Sequence, residues 1–158
     1  MDEFNYHHVL VGVDGSKAAE KAVRKAIIIA QHNQAKLTIA TVINDRKMIG
    51  VSKSATLGFG NINPTNVEEL KQSFEKLVSG YAKQATEQGV EVDTIIASGD
   101  PRTTLATDLP SENDYDAIVV GATGVNLVGR MIMGSTASYV VTNAKVDVFV
   151  VRTDQKDL

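Results

Sequence analysis

The sequence predicts an α/β fold, a doubly wound open parallel sheet of five strands with helices on both faces. Three observations carry that prediction. Short apolar runs of strand length alternate along the chain with longer segments whose apolar residues repeat at helical spacing. The connections between successive strands are long enough to hold crossovers, as parallel pairing demands. Lys36 to Ile43 (KLTIATVI) is a β-branched run between polar residues, the composition of a strand covered on both faces.

The elements follow in order. His8 to Val13 is an apolar run ending in Asp14-Gly15-Ser16, which reads as strand, turn and helix start. Ala19, Ala22, Val23, Ala26, Ile27 and Ala30 then form one helical stripe ending near Asn33, and its small alanines imply close packing on the sheet. Lys17, Lys21, Arg24 and Lys25 fall on the solvated side of that helix. After the second strand, Lys36 to Ile43, regularity stops. Asn44 to Asn66 contains Gly50, Gly58, Gly60 and Pro64 without a sustained period, so it reads as a lid, a binding loop or an insertion without function.

Order resumes at Thr65. Glu68 completes a capping box, and Leu70, Phe74, Leu77, Val78, Tyr81 and Ala85 form the stripe of a helix closed by Gly89. Val92 to Ala97 is the third strand. Asp100 is then an N-cap, with Pro101 at the first position of a short helix bearing Leu105, Ala106 and Leu109. Asp116 to Val120 is the fourth strand, a last helix carries Ala137, Val140, Val141 and Ala144, and Asp147 to Val151 (DVFVV) is the fifth strand.

The expected strand order is 3-2-1-4-5. Strands one and four are then neighbours, and the chain reverses its direction across the sheet between them, where open α/β sheets bind ligands at strand carboxyl ends. The flavodoxin-like order 2-1-3-4-5 stays open and would move that point.

Composition narrows the function classes. With 158 residues, 43% of them hydrophobic, the chain is expected to fold as one domain, burying about 70% of its unfolded surface. The apolar runs are far short of the ~20 residues of a membrane span, and MDEFNYHH is not an export signal, so the protein is expected in the cytoplasm. A net charge of -3 argues against nucleic acid as the main partner. The absence of cysteine removes thiol catalysis and Cys-ligated zinc. His7 and His8 are adjacent and so point to opposite faces of a strand, a poor metal pair, while His32 near a helix end suits the helix dipole.

The most informative stretch is IVVGATGVNLVGRMIMGSTAS, Ile118 to Ser138. A buried strand breaks at Gly121, Gly124 follows, nine residues pass, and Gly134-Ser135-Thr136 opens a helix. Bare backbone at the glycines and open N–H groups at a helix start are suited to phosphate. Two familiar motifs fail here. Gly129 to Thr136 has P-loop glycine spacing but carries Ser135 where the lysine belongs, and neither Gly121 nor Gly124 opens a G-x-G-x-x-G fingerprint. Ser135 and Thr136 offer hydroxyl and backbone donors, and they are also ordinary N-caps. Asp14 is suited to a ribose hydroxyl or a divalent cation, and equally to a turn. Arg130 is suited to phosphate, or to solvent as a loop arginine.

The glycine pattern resembles the ATP-binding signature of the UspA-like universal stress protein family. HHVLVGVDGS is similar to that family's first strand and AKVDVFVVR to its closing strand, so the resemblance spans about Asn5 to Thr153. It implies a Rossmann-like half of the adenine nucleotide alpha hydrolase-like kind. It also implies that Gly121, Ala122, Thr123, Gly124, Gly134, Ser135 and Thr136 hold ribose and phosphates. Gly12, Val13 and Asp14 would lie beside the nucleotide, Val42 would meet the adenine, and Arg130 and Asp14 would serve phosphate and a Mg²⁺ or Mn²⁺ ion. The resemblance further implies a homodimer paired through residues 147–152. The expected function is a regulatory stress protein that binds ATP or another adenine nucleotide. Competing readings are a slow ATP hydrolase, for which no water-positioning group is legible, a flavin carrier, which lacks the aromatic residues, and a dimerisation module that binds no nucleotide.

Overall fold

The computed structural model describes residues 5–44, 67–123 and 133–153. The proposed lid beyond Asn44, Thr65 of the capping box, Gly124 and Arg130 lie outside the described residues. The elements run β1 (His8–Val13), α1 (Lys17–Asn33), β2 (Lys36–Ile43), α2 (Val67–Glu87), β3 (Val92–Ser98), α3 (Pro101–Thr103), a π-helical turn (Thr104–Asp108), α4 (Leu109–Glu112), β4 (Ala117–Gly121), α5 (Ser135–Asn143) and β5 (Asp147–Val151). The strands form one parallel sheet in the order β3-β2-β1-β4-β5, which removes the flavodoxin-like alternative.

Both faces of the sheet are covered, and the alternation along β1 assigns them. Val9, Val11 and Val13 face α1 and α2, packing with Ala22, Val23, Ala26, Val78 and Tyr81. Leu10 faces the other way, with Ala40, Ile118 and Val120, against Leu105, Leu109, Ala137 and Val140. Successive strand side chains point to opposite faces, so a strand with helices on both sides has to be apolar at every position. β1 and β2 are buried nearly throughout for that reason.

The helix ends have identifiable chemistry. Ser16 caps α1, its Oγ accepting the Ala19 N–H at 3.1 Å. The same helix stops at Gln34, which adopts a left-handed conformation (φ 53°) where glycine is usual, its N–H returning to Ala30 and Gln31 carbonyls. Gly89 (φ 80°) turns the chain out of α2, a conformation that L side chains rarely adopt. Asp100 accepts the Arg102 N–H at 2.9 Å ahead of Pro101.

Two expectations need correction. Val141 is 46% exposed and does not belong to the buried stripe of α5, which is Ala137 and Val140, with Tyr139 and Ala144 packed beside them half-buried. The helix after Asp100 is not regular: Thr104 to Asp108 forms a wide π turn, a local geometry that residue periodicity does not encode. No helix among the described residues is long and apolar enough to cross a membrane.

Candidate functional site

The two halves of the glycine pattern meet at the carboxyl end of β4. Gly121 is the last residue of the strand, in register with Val151, and the Ala122 N–H continues the ladder by donating to the Val151 carbonyl at 2.8 Å. The Ala122 carbonyl in turn accepts the Gly134 N–H at 2.6 Å. One hydrogen bond therefore closes the excursion that leaves at Ala122 and returns at Gly134, and it seats the start of α5 beside the strand end.

Gly134, not Ser135 or Thr136, is the N-cap of α5, and it offers no side chain to the helix. Ser135 and Thr136 occupy the first helical positions, Ser135 exposed and Thr136 half-buried. Backbone N–H groups in a helix's first turn have no intrahelical acceptor, and a glycine cap leaves them to an external one. The contrast with α1 is direct, because there the Ser16 hydroxyl already occupies the Ala19 N–H.

Neighbouring β1 ends in the same crevice, since β1 pairs with β4 from Val9↔Ala117 to Val11↔Val119. Past Val13 the chain turns through Asp14, whose Oδ1 accepts the Ser16 N–H at 3.0 Å. Asp14 thus serves as a turn residue and keeps its other carboxylate oxygen. Val13 itself is buried against α1 and α2, and its carbonyl accepts the Thr41 hydroxyl at 2.8 Å. Val42 is half-buried near the end of β2, in register with Ala97. Thr123 is half-exposed just past β4.

Two of the glycines have a packing reason of their own. A Cβ on Gly121 would lie 2.9 Å from both the carbonyl carbon and the methyl of Ala18, in the first turn of α1. A Cβ on Gly12 would lie 2.6 Å from Leu105 Cδ1, so the bare side of Gly12 is occupied by the π turn. Ala18 and Leu105 escape a site search by residue type, since neither carries chemistry. The only signal they leave in the sequence is the pairing of a small or glycine position with an apolar one.

Other titratable groups gather at the opposite, amino-terminal end of the sheet. His8 Nε2 lies 2.7 Å from the buried Thr38 hydroxyl, and its ring sits 4.3 Å from that of Tyr115. Burial, and then the cationic Lys36, hold the His8 imidazole below its ordinary pKa. Burial raises the Tyr115 hydroxyl. Lys36 is paired with Asp93 at 2.6 Å, which raises its ammonium. His7 is exposed and precedes the first residue of β1. No group of three or more His, Asp or Glu residues capable of holding a metal occurs among the described residues.

Comparison with known proteins agrees with this architecture. The profile of the universal stress protein family matches residues 5–152. A Staphylococcus haemolyticus protein named as a universal stress protein is 38% identical over 152 residues, covering 95% of this chain and 87% of its own. The solved universal stress protein UspA from Lactobacillus plantarum is 31% identical, with a TM-score of 0.63 over 94% of this chain and 99% of its own. A universal stress protein solved in complex with cAMP is 25% identical, with a TM-score of 0.68 over 95% of this chain and 99% of its own.

Proposed function

This chain belongs to the universal stress protein family, and from that premise we propose that it is a regulatory adenine-nucleotide-binding protein, with ATP the expected ligand, acting in the cytoplasm as a homodimer. The observation that carries the reading is the Gly134 to Ala122 hydrogen bond, which sets an uncapped helix start against the end of β4. Phosphates would be held by the N–H and hydroxyl groups of Ser135 and Thr136. The ribose would lie along Gly121 to Thr123, and the adenine toward Val13 and Val42, with Gly124 and Arg130 contributing by their place in the signature. The complex of a family member with cAMP supports adenine as the base.

A divalent cation fits this arrangement only together with the ligand. Asp14 supplies one uncommitted carboxylate oxygen at the mouth of the crevice, and Mg²⁺ is commonly held by one or two carboxylates plus nucleotide phosphates. Such an ion would neutralise phosphate charge, while Ser135 and Thr136 orient it.

Binding and not hydrolysis is the proposed activity, because what this crevice sets out is a helix start whose N–H groups suit phosphate. Native mass spectrometry of gently purified protein, with calorimetry against ATP, ADP, AMP and cAMP, tests it. Binding of at least one of these tighter than millimolar is expected, with loss in Gly124→Val. Failure of all four to bind overturns the reading.

A further inference from the structure

We propose that the outer edge of β3 is a docking site for an extended peptide strand from a partner protein, with an acidic side chain of that peptide directed to Lys83. The backbone groups of β3 alternate between the sheet and its open side. The Leu37 N–H donates to the Glu91 carbonyl at 2.8 Å, and the Gly99 N–H donates to the Ile43 carbonyl at 3.0 Å. Residues 91 and 99 therefore turn their backbone polar groups toward β2, and along a strand that direction alternates residue by residue. Val92, Thr94, Ile96 and Ser98 consequently turn their N–H and C=O groups outward, away from the sheet. β3 is the edge in the order β3-β2-β1-β4-β5, and no described strand pairs with that side.

Edge strands are usually blunted by lysine, proline, a bulge or a very short length. β3 has none of these: it runs seven residues, VDTIIAS, and its one charge, Asp93, is taken up by Lys36. Thr94, in its middle, is exposed.

The edge also lies in a groove. A cavity of about 720 Å³ follows four consecutive residues of β3, Val92 to Ile95, so that both pleat faces of the strand line it. One wall is α2, through Ser79, Lys83 and Thr86, and the other is the sheet face with Lys36 and Tyr115. A groove that follows one strand edge and is walled on both pleat faces fits a single added strand, whose alternate side chains would meet the two walls in turn. The charges on those walls select among peptides. Lys36 is satisfied by Asp93, while Lys83 is exposed on α2, so an acidic side chain is favoured on the α2 side.

Thr94→Pro gives a selective probe, because it deletes an outward N–H without removing any bond to β2, and proline is tolerated on an outward-facing edge position. The experiment uses the full chain and acetylated hexapeptides alternating Thr and Val, with Glu or Lys placed at each position in turn, followed by fluorescence anisotropy. Glu-bearing peptides are expected to bind, and about tenfold more weakly to Thr94→Pro. Lys83→Glu should reverse the preference to Lys-bearing peptides. If Thr94→Pro fails to fold, N-methylation of alternate peptide bonds tested on the unaltered chain carries the same information and should abolish binding. Three outcomes overturn the proposal: no peptide binds at millimolar concentration, N-methylation is without effect, or Thr94→Pro changes the sedimentation of the protein and not its peptide binding, which would make a second copy of this chain the occupant.

Discussion

Gly121 ends β4 directly against Ala18, so closely that a Cβ on the glycine would stand 2.9 Å from the Ala18 carbonyl carbon and 3.0 Å from its oxygen. The first turn of α1 is therefore seated on the strand end through bare backbone. The first glycine of the signature serves the seating of a helix, whatever it also does for a ligand. Gly12 is similar in kind but not in rigidity, since its obstacle is the far end of the Leu105 side chain.

That difference predicts an order of stabilities. Gly121→Ala should cost about 1–3 kcal/mol, the range for forcing atoms into a filled site, because backbone has to move. Gly12→Ala should cost less, since Leu105 can change rotamer. Urea unfolding of both variants checks this, and a larger loss in Gly12→Ala would contradict the packing described.

Ser135→Asp should separate stability from ligand binding. A carboxylate in the first turn of α5 favours the helix dipole by roughly 0.3–1 kcal/mol. The same charge opposes phosphate, so ATP binding should weaken at least about tenfold while the melting temperature holds or rises. Ser135→Ala, which keeps the backbone N–H, should lose less affinity. Calorimetry and thermal unfolding on the three proteins give the comparison.

His8 should make stability depend on pH. Its folded pKa lies below the ordinary 6.5 because burial and Lys36 disfavour the imidazolium, an effect that Asp116, Asp93 and Glu91 reduce but do not reverse. Between the lowered folded value and 6.5 the unfolded chain binds more protons than the native one, so stability rises with pH there. The contribution is present above 6.5 and is lost as the pH falls through that window. His8→Gln should flatten this segment of the stability profile in urea titrations while leaving the slope above about pH 7.5 unchanged.

The proposed dimer has a test of the same kind. The Ala122 N–H to Val151 carbonyl bond turns residue 151 toward β4, so Val148 and Val150 present their backbone groups outward on the β5 edge. Val150→Lys should convert a dimer at micromolar concentration to monomer in sedimentation, with circular dichroism unchanged. A monomeric unaltered chain would remove the dimer from the proposed function.

The sequence by itself determined the parallel α/β class, the five strands to within a residue or two, and the buried stripes of α1 and α2. These follow from local periodicity: a strand covered on both faces has to be apolar throughout, and a helix on a sheet has to carry its apolar residues at helical spacing. It also determined the family, through the spacing of Gly121, Gly124 and Gly134 and the segments that flank it.

Tertiary structure alone decided the rest. The order 3-2-1-4-5 became fixed only when β1 was paired with both β2 and β4, a choice among arrangements that the same periodicities allow. Gly134 displaced Ser135 as the cap, because the Ala122 carbonyl holds the Gly134 N–H and starts the helix one residue earlier. Val141 left the core because α5 turns Ala137 and Val140 to the sheet and leaves the next position, 141, to solvent. The need for glycine at 12 and 121 depends on Leu105 and Ala18, residues distant in sequence, and no local pattern carries the distance between two atoms that only folding brings together.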